Sequence, residues 1–199
     1  MRSITLMVAA LMFAMCCGCS QTATRPDGAS ARPAPAPAGG DDVLDIVSPA
    51  FVDGARIPAV HATRAVTSGE NLSIPLRWTG VPAGAKSIVL SVVDHSPVAR
   101  EWVHWVAVDM PPDTTELAAG ASGQAMPVGS RELLNTSGSR GYSGPQPPPG
   151  SGDHPYEATI YALDVATLDI PDDVTAADIE RAVSGHVLAS GSTTGVFSR

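Results

Sequence analysis

Seven of the ten residues from Gly141 to Gly150 are glycine or proline, in the order Gly-Tyr-Ser-Gly-Pro-Gln-Pro-Pro-Pro-Gly. No helix interior or central strand accommodates that run, because each proline removes a backbone donor and sterically blocks a regular ladder. The segment therefore predicts an irregular loop of largely fixed shape: proline pre-sets φ, and glycine permits conformations closed to other residues. His154-Pro155-Tyr156 follows shortly after. An imidazole and a phenol two positions apart on an extended chain project to the same side. Glu157-Ala158-Thr159-Ile160-Tyr161-Ala162-Leu163 then reads as a partly alternating strand, which puts the loop at an edge or rim of a sheet. Such a loop predicts a binding site for a small anion, ringed by backbone N–H groups and two side-chain donors.

A second cluster lies upstream, Asp94-His95-Ser96-Pro97 followed by Glu101-Trp102-Val103-His104-Trp105-Val106-Ala107-Val108. On its residues alone, Asp94 suits a turn-initiating carboxylate before Ser-Pro. His104, on the strand face of Trp102, suits a core histidine satisfied by one hydrogen bond. Taken together, Asp…Pro…Trp-x-His-Trp and Gly-Tyr-x-Gly-Pro-x-Pro-Pro-x-Gly…His-x-Tyr resemble the two signature segments of the phosphatidylethanolamine-binding protein family, which includes the Raf kinase inhibitor protein and bacterial relatives. The resemblance runs from about Ile46-Val47-Ser48-Pro49-Ala50-Phe51 to the C-terminus and takes in Leu76-Arg77-Trp78-Thr79-Gly80-Val81-Pro82-Ala83-Gly84 and Asn135 before Gly141-Tyr142.

The resemblance implies an all-β-dominated fold, a two-sheet antiparallel β-sandwich with a few short helices. It also implies a ligand pocket made by Asp94, Pro97, His104, Gly144, Pro145, Pro147, His154 and Tyr156. In that pocket His104, His154 and Tyr156 would donate to phosphate, acetate or a phospholipid headgroup. The loop would supply shape and backbone N–H groups, and Asp94 would orient a donor. Two departures stand out. The family usually carries Asp-Pro-Asp-x-Pro where this chain has Asp94-His95-Ser96-Pro97, and it commonly has Arg where Pro155 stands. His95 is expected at the pocket rim, while His61 and His186 are expected to be surface or structural. Two other readings follow: an inhibitor of a kinase or protease whose protein target is unknown, or a hydrolase using His104 and Asp94 as a general-base pair.

The first forty-one residues belong to targeting, not to the fold. Met1-Arg2 is a short positive start, and Ile4 to Met15 is an apolar stretch of about a dozen residues, too short for a membrane span of about twenty. Cys16-Cys17-Gly18-Cys19 looks like a lipobox, with Cys16 where Leu is usual. The expectation is a signal peptide over 1–18, lipidation at Cys19, and a Pro/Ala-rich tether over 19–41 that leads to a folded domain at 42–199. The protein would then face the extracytoplasmic side of the cell membrane. All three cysteines lie in this leader, so the domain carries neither a disulfide nor a thiolate nucleophile.

A net charge of −8 with no Lys/Arg run argues against nucleic acid and against a polybasic membrane patch, so any bound anion relies on local donors. No cofactor motif is present: there is no Walker loop, no dinucleotide glycine motif and no Gly-x-Ser-x-Gly elbow. Asp94, His104 and His154 are of ligand type, but no short spacing pins them together, and no metal is expected. Short β-rich runs at Leu72–Trp78, Ser87–Asp94, Trp102–Asp109 and Ala158–Leu163 are separated by turn signals. Ser87–Val93 is almost continuously apolar and predicts a central strand buried on both faces. One helix is predicted after Thr175, with Thr175 and Asp178 as a capping box, an apolar side of Ala177, Ile179, Ala182 and Val183, and a stop at Gly185. His186–Gly191 should return as a final strand.

Overall fold

The computed structural model describes residues 42–199. The expected signal peptide, Cys19 and tether lie outside these residues. Among the described residues, nine strands and one α-helix follow in chain order, with one 3-10 turn at Ala59–His61: β1 (Asp42–Val43), β2 (Asp45–Val47), β3 (Leu76–Thr79), β4 (Ser87–Asp94), β5 (Trp102–Met110), β6 (Glu116–Leu117), β7 (Arg131–Glu132), β8 (His154–Leu163), α1 (Ala176–Val183) and β9 (Val187–Phe197). They form a six-stranded sheet, β1-β9-β8-β4-β5-β7, and a three-stranded sheet, β2-β3-β6. This is the expected two-sheet sandwich. Every pairing is antiparallel except β1 with β9, a two-residue parallel edge.

The large sheet is covered on both faces, which explains the nearly continuous apolar run of β4: all eight of its residues are buried. Ile88, Leu90 and Val92 face the small sheet, where they meet Ile46, Leu76, Trp78 and Leu117 in one core. Val89 and Val93 face the other way, into a second core with Leu168, Ile170, Val174 and helix α1. The helix begins as its sequence dictates. The Thr175 hydroxyl accepts from Asp178 N at 3.3 Å, and Asp178 Oδ2 accepts from Thr175 N at 3.0 Å. Ile179 and Val183, one turn apart, are its buried residues. Ala177 is exposed, and Ala176 packs on the core instead.

Strand limits shift where the flanking residues require it. The run expected from Leu72 begins only at Leu76, directly after Pro75, which has no N–H to give a ladder. The strand expected from Ala158 begins at His154, and the final strand runs on to Phe197, because the two pair along their whole length from His154↔Phe197 to Leu163↔Val187. The extension places His154 and Tyr156 on the sheet itself.

Candidate functional site

Three strand segments bring the signature residues to one end of the large sheet. Asp94 is the last residue of β4 and pairs with Trp102 on β5 and Tyr156 on β8. Between Val92↔Trp105 and Val93↔Val103 the register shifts by one residue, leaving His104 as the extra residue of a β-bulge. The bulge has a visible consequence. Val103 lies in the outer core and Trp105 in the inter-sheet core, although residues two apart normally share a face. His104 is thereby turned onto the inter-sheet side, where its ring meets Tyr156 edge-on with centroids 5.0 Å apart. Strand alternation puts His154 on the same side as Tyr156, with roughly parallel rings 6.5 Å apart.

Hydrogen bonds lock each of these side chains. His154 Nδ1 donates to Asp94 Oδ2 at 2.7 Å and lies 2.8 Å from the Ser96 hydroxyl. Asp94 Oδ1 in turn accepts from Ser96 N at 2.9 Å. On its far side, His154 Nε2 lies 2.9 Å from Ser151 Oγ, whose hydroxyl donates to the Pro148 carbonyl at 2.7 Å. The chain Asp94–His154–Ser151 has the connectivity of a hydrolytic triad; with the Ser151 hydroxyl on Pro148, Ser151 Oγ accepts from His154 Nε2, and the connection latches the loop to the sheet. Asp94 thus pairs with His154, not with His104 as a general-base pair would require.

His104 has a different partner. Its Nδ1 lies 2.6 Å from the Ser143 carbonyl oxygen, which can only accept, so Nδ1 carries the hydrogen and Nε2 is left as a lone pair. Burial, the largest influence, pushes the His104 pKa below its ordinary value. The Ser143 carbonyl and the Asp94 charge oppose that shift, and His154 adds to it. The imidazole is therefore neutral at pH 7. Burial, followed by the Asp94 charge and hydrogen bonding to Asp94, raises the Tyr156 pKa, so its hydroxyl keeps its proton.

The Gly/Pro loop is rigid because it is pinned as well as stiff. Ser143 N donates to the His104 carbonyl at 2.9 Å, which answers the bond from His104 Nδ1. Gly144 N donates to Asn71 Oδ1 at 2.8 Å, and Thr63 N donates to the Pro145 carbonyl at 3.2 Å. The Tyr142 hydroxyl donates to the His61 carbonyl at 2.9 Å, and Tyr142 N donates to Ser122 Oγ. Gly144 is required by close approach: a Cβ there would sit 2.1 Å from the His61 carbonyl oxygen and 2.8 Å from the Ala62 carbonyl carbon. The expectation that this loop offers backbone N–H groups to an anion fails at 141–144. All four are committed to protein acceptors, Gly141 N to the Leu133 carbonyl among them, and the prolines have none.

A cavity of about 390 Å³ opens above these residues. Asp94, His104, Gly144, Pro147, His154 and Tyr156 line it; Pro97 and Pro145 do not. Pro97 is exposed in the turn after Asp94, and Pro145 is buried against 63. Val98, Ala99, Trp102, Pro147 and Pro148 give the cavity apolar walls, and Thr63, Ser137, Ser143 and Gln146 complete it. His95 is not at the rim. It follows Asp94 on the strand and so faces the other way, with Nδ1 2.7 Å from Glu101. His61 is buried, with Nδ1 2.8 Å from the Leu72 carbonyl, and His186 pairs with Asp164.

Sequence reasoning missed Ser96 and Ser151, which hold His154, and Thr63 and Asn71, which hold the loop. Ser96 stands inside the Asp94–Pro97 motif, where an Asp-x-Ser turn was a usable signal; Thr63 and Asn71 are more than seventy residues from their partners and gave none. A larger groove of about 550 Å³ between Arg56 and Phe197 contains none of the signature residues. Among the described residues, no group of three or more His, Cys, Asp or Glu converges as a metal site.

A two-sheet β-sandwich with a pocket at the strand ends, closed by a pinned Gly/Pro loop, defines a known class of protein. The family model "Phosphatidylethanolamine-binding protein" matches residues 47–198. A UPF0098 protein of Methanothermobacter thermautotrophicus is 39% identical over 157 residues, which cover 78% of this chain and 99% of the relative. UPF0098 protein YbhB of Escherichia coli is 37% identical, over 78% of this chain and all of the relative. The Mycobacterium tuberculosis protein named "Putative lipoprotein LppC" is 36% identical over 82% of this chain and 75% of its own length. Among solved structures, E. coli YbcL, described as a new member of the mammalian PEBP family, superposes with a TM-score of 0.72 at 27% identity, over 78% of this chain and 98% of that one. The chain belongs to the phosphatidylethanolamine-binding protein family.

Proposed function

We propose that this chain is a lipid-anchored binding protein of the cell envelope whose pocket takes a small anion or phospholipid headgroup. The carrying observation is convergence. Two segments about fifty residues apart, Asp94–Trp105 and Tyr142–Tyr156, meet around one cavity with His104, Tyr156 and the Asp94–His154 pair at its floor. The apolar walls suit the non-reacting part of a ligand, and the few convergent polar groups would fix its orientation. For the anchor, support comes from Cys19 after an apolar leader and from the relative named as a lipoprotein. Among the described residues no helix is long and apolar enough to cross a membrane, so attachment would rest on the acylated leader.

Calorimetric titration of phosphoethanolamine into the wild type and Tyr156→Phe tests the reading. Loss of the only phenol at the floor should weaken binding about tenfold, the range for a hydrogen bond to a charged group. Equal affinities, or no binding by the wild type, would refute it.

A further inference from the structure

The groove of about 550 Å³ that opens between Arg56 and Phe197 shares no residue with the cavity at the strand ends. Its charge is also the reverse. The chain carries a net charge of −8, yet no Asp or Glu lines this groove, whereas Arg56 and Arg199 both do. The only carboxyl group among its lining residues is the main-chain one of Arg199, which accepts from Gly150 N at 3.1 Å. Arg56 is fixed from two sides. Its Nη1 donates to Ser198 Oγ at 3.0 Å and its Nη2 to the Ser198 carbonyl at 2.8 Å, while the guanidinium lies over the Phe197 ring, 5.5 Å from the centroid. Those bonds use two of the five N–H groups that a guanidinium offers. Asp153 Oδ1 stands 4.0 Å from Nη1 with both side chains exposed, a pairing that solvent largely screens. Among the described residues the arginine ion pairs are those of Arg56, Arg77, Arg131, Arg140 and Arg181, which leaves Arg199 exposed and unpaired at the groove.

We propose that this groove docks an acidic segment of a partner protein, with a carboxylate side chain on Arg56 and Arg199 and a neighbouring apolar side chain on Pro58, Ala65 and Val66. Charge complementarity selects the occupant. A guanidinium matches a carboxylate through two parallel hydrogen bonds, and one already held by Ser198 and Phe197 loses little freedom on binding. A purely apolar partner would bury both arginines without a counter-charge, and a basic one would meet two cations and no acidic side chain. The floor is preformed: Ile57 and Phe197 are buried beneath the groove as part of the inter-sheet core. Sites for small molecules enclose most of their ligand, whereas this groove is open at the surface, which suits a side chain or two of a larger chain. Capture of acidic motifs by arginines is a recurring mode of peptide recognition.

The test is fluorescence anisotropy on the full-length chain with a fluorescein-labelled peptide, Gly-Phe-Glu-Leu-Glu-Gly, and its analogue Gly-Phe-Gln-Leu-Gln-Gly. The acidic peptide should bind at least about tenfold tighter than the Gln analogue, the range for a charge-assisted hydrogen bond, and its affinity should fall as salt is raised. Arg199→Gln and Arg56→Gln should each weaken it about tenfold. Arg56→Lys, which keeps the charge but loses the fork, should recover only part of that loss. Arg199→Gln is exposed and carries the test if Arg56→Gln, which also loses the bonds to Ser198, lowers Tm. Tyr156→Phe, at the cavity, should leave peptide affinity unchanged, and Arg199→Gln should leave phosphoethanolamine titration unchanged, so the two sites succeed or fail separately. A Gln analogue within about threefold of the acidic peptide, or no binding by the wild type up to about 1 mM, would overturn the proposal. So would an equal loss in Arg181→Gln on helix α1, which would show unspecific charge attraction. N-acetylglutamate binding as tightly as the peptide would assign the groove to a small carboxylate, and self-association in sedimentation that Arg56→Gln abolishes would assign it to a second copy; either overturns the partner segment.

Discussion

Gly144→Ala tests the pinning of the loop directly. The added Cβ would sit 2.1 Å from the His61 carbonyl oxygen, about 0.9 Å inside the 3.0 Å that real Cβ contacts respect. Its other close neighbours, the carbonyl carbon and Cα of Ala62, are also backbone, so no rotamer change relieves the clash. The loop must move. In moving, it strains or breaks the bonds Gly144 N→Asn71 Oδ1 and Thr63 N→Pro145 O. Overpacking of this kind costs about 1–3 kcal/mol, and each lost hydrogen bond costs about 1 kcal/mol, for a total of about 3–5 kcal/mol. For a domain of this size that corresponds to a fall in Tm of about 6–20 °C. The same displacement carries the Ser143 carbonyl away from His104 Nδ1, so anion affinity should drop as well. Gly150→Ala is the matched control. Its φ is +77° but nothing lies within 4 Å of the added Cβ, so it should cost only the backbone penalty of about 1–2 kcal/mol and leave the pocket unchanged. Differential scanning calorimetry and anion titration on both variants decide the matter. A Gly144→Ala protein that melts within about 2 °C of wild type and binds equally would show that loop contact with 61–62 does not hold the site.

Three further expectations follow from the same geometry. His104 is held neutral in the fold with its pKa below the unfolded value of 6.5, so its contribution is intact above that pH and is lost as pH falls through the folded pKa; chemical denaturation from pH 7 to 5 should show a smaller loss for His104→Asn than for the wild type. Pro147→Ala with Pro148→Ala should weaken anion binding more than it lowers Tm, since a freed loop must be ordered at roughly 1 kcal/mol or more per residue, and calorimetry showing unchanged affinity would contradict this. Cys19→Ala should move the protein from the detergent phase to the aqueous phase in a phase-separation assay, and continued membrane partitioning would place the anchor elsewhere.

Local chemistry made much of this protein legible from its residues. The nearly continuous apolar run of Ser87–Asp94 spelled a doubly buried strand because five of its eight residues are Ile, Val or Leu and they occupy both faces, and the Thr175–Asp178 capping box spelled a helix start because both partners lie three residues apart. The Gly/Pro run spelled an irregular loop, and of the eight residues that the resemblance of two segments named, six line the cavity while Pro97 and Pro145 do not. What the sequence could not decide was polarity. Whether His104 donates or accepts depends on which nitrogen meets Ser143, thirty-nine residues away, through a bulge that has no marker in the strand. Whether His154 is free depends on Asp94, Ser96 and Ser151 arriving together, and whether the loop offers N–H groups depends on Asn71 and Ser122 having already taken them. A hydrogen bond is settled by distances of tenths of an ångström between residues far apart in the chain. Composition and periodicity report which groups are present and which face they occupy; only tertiary packing assigns each its partner.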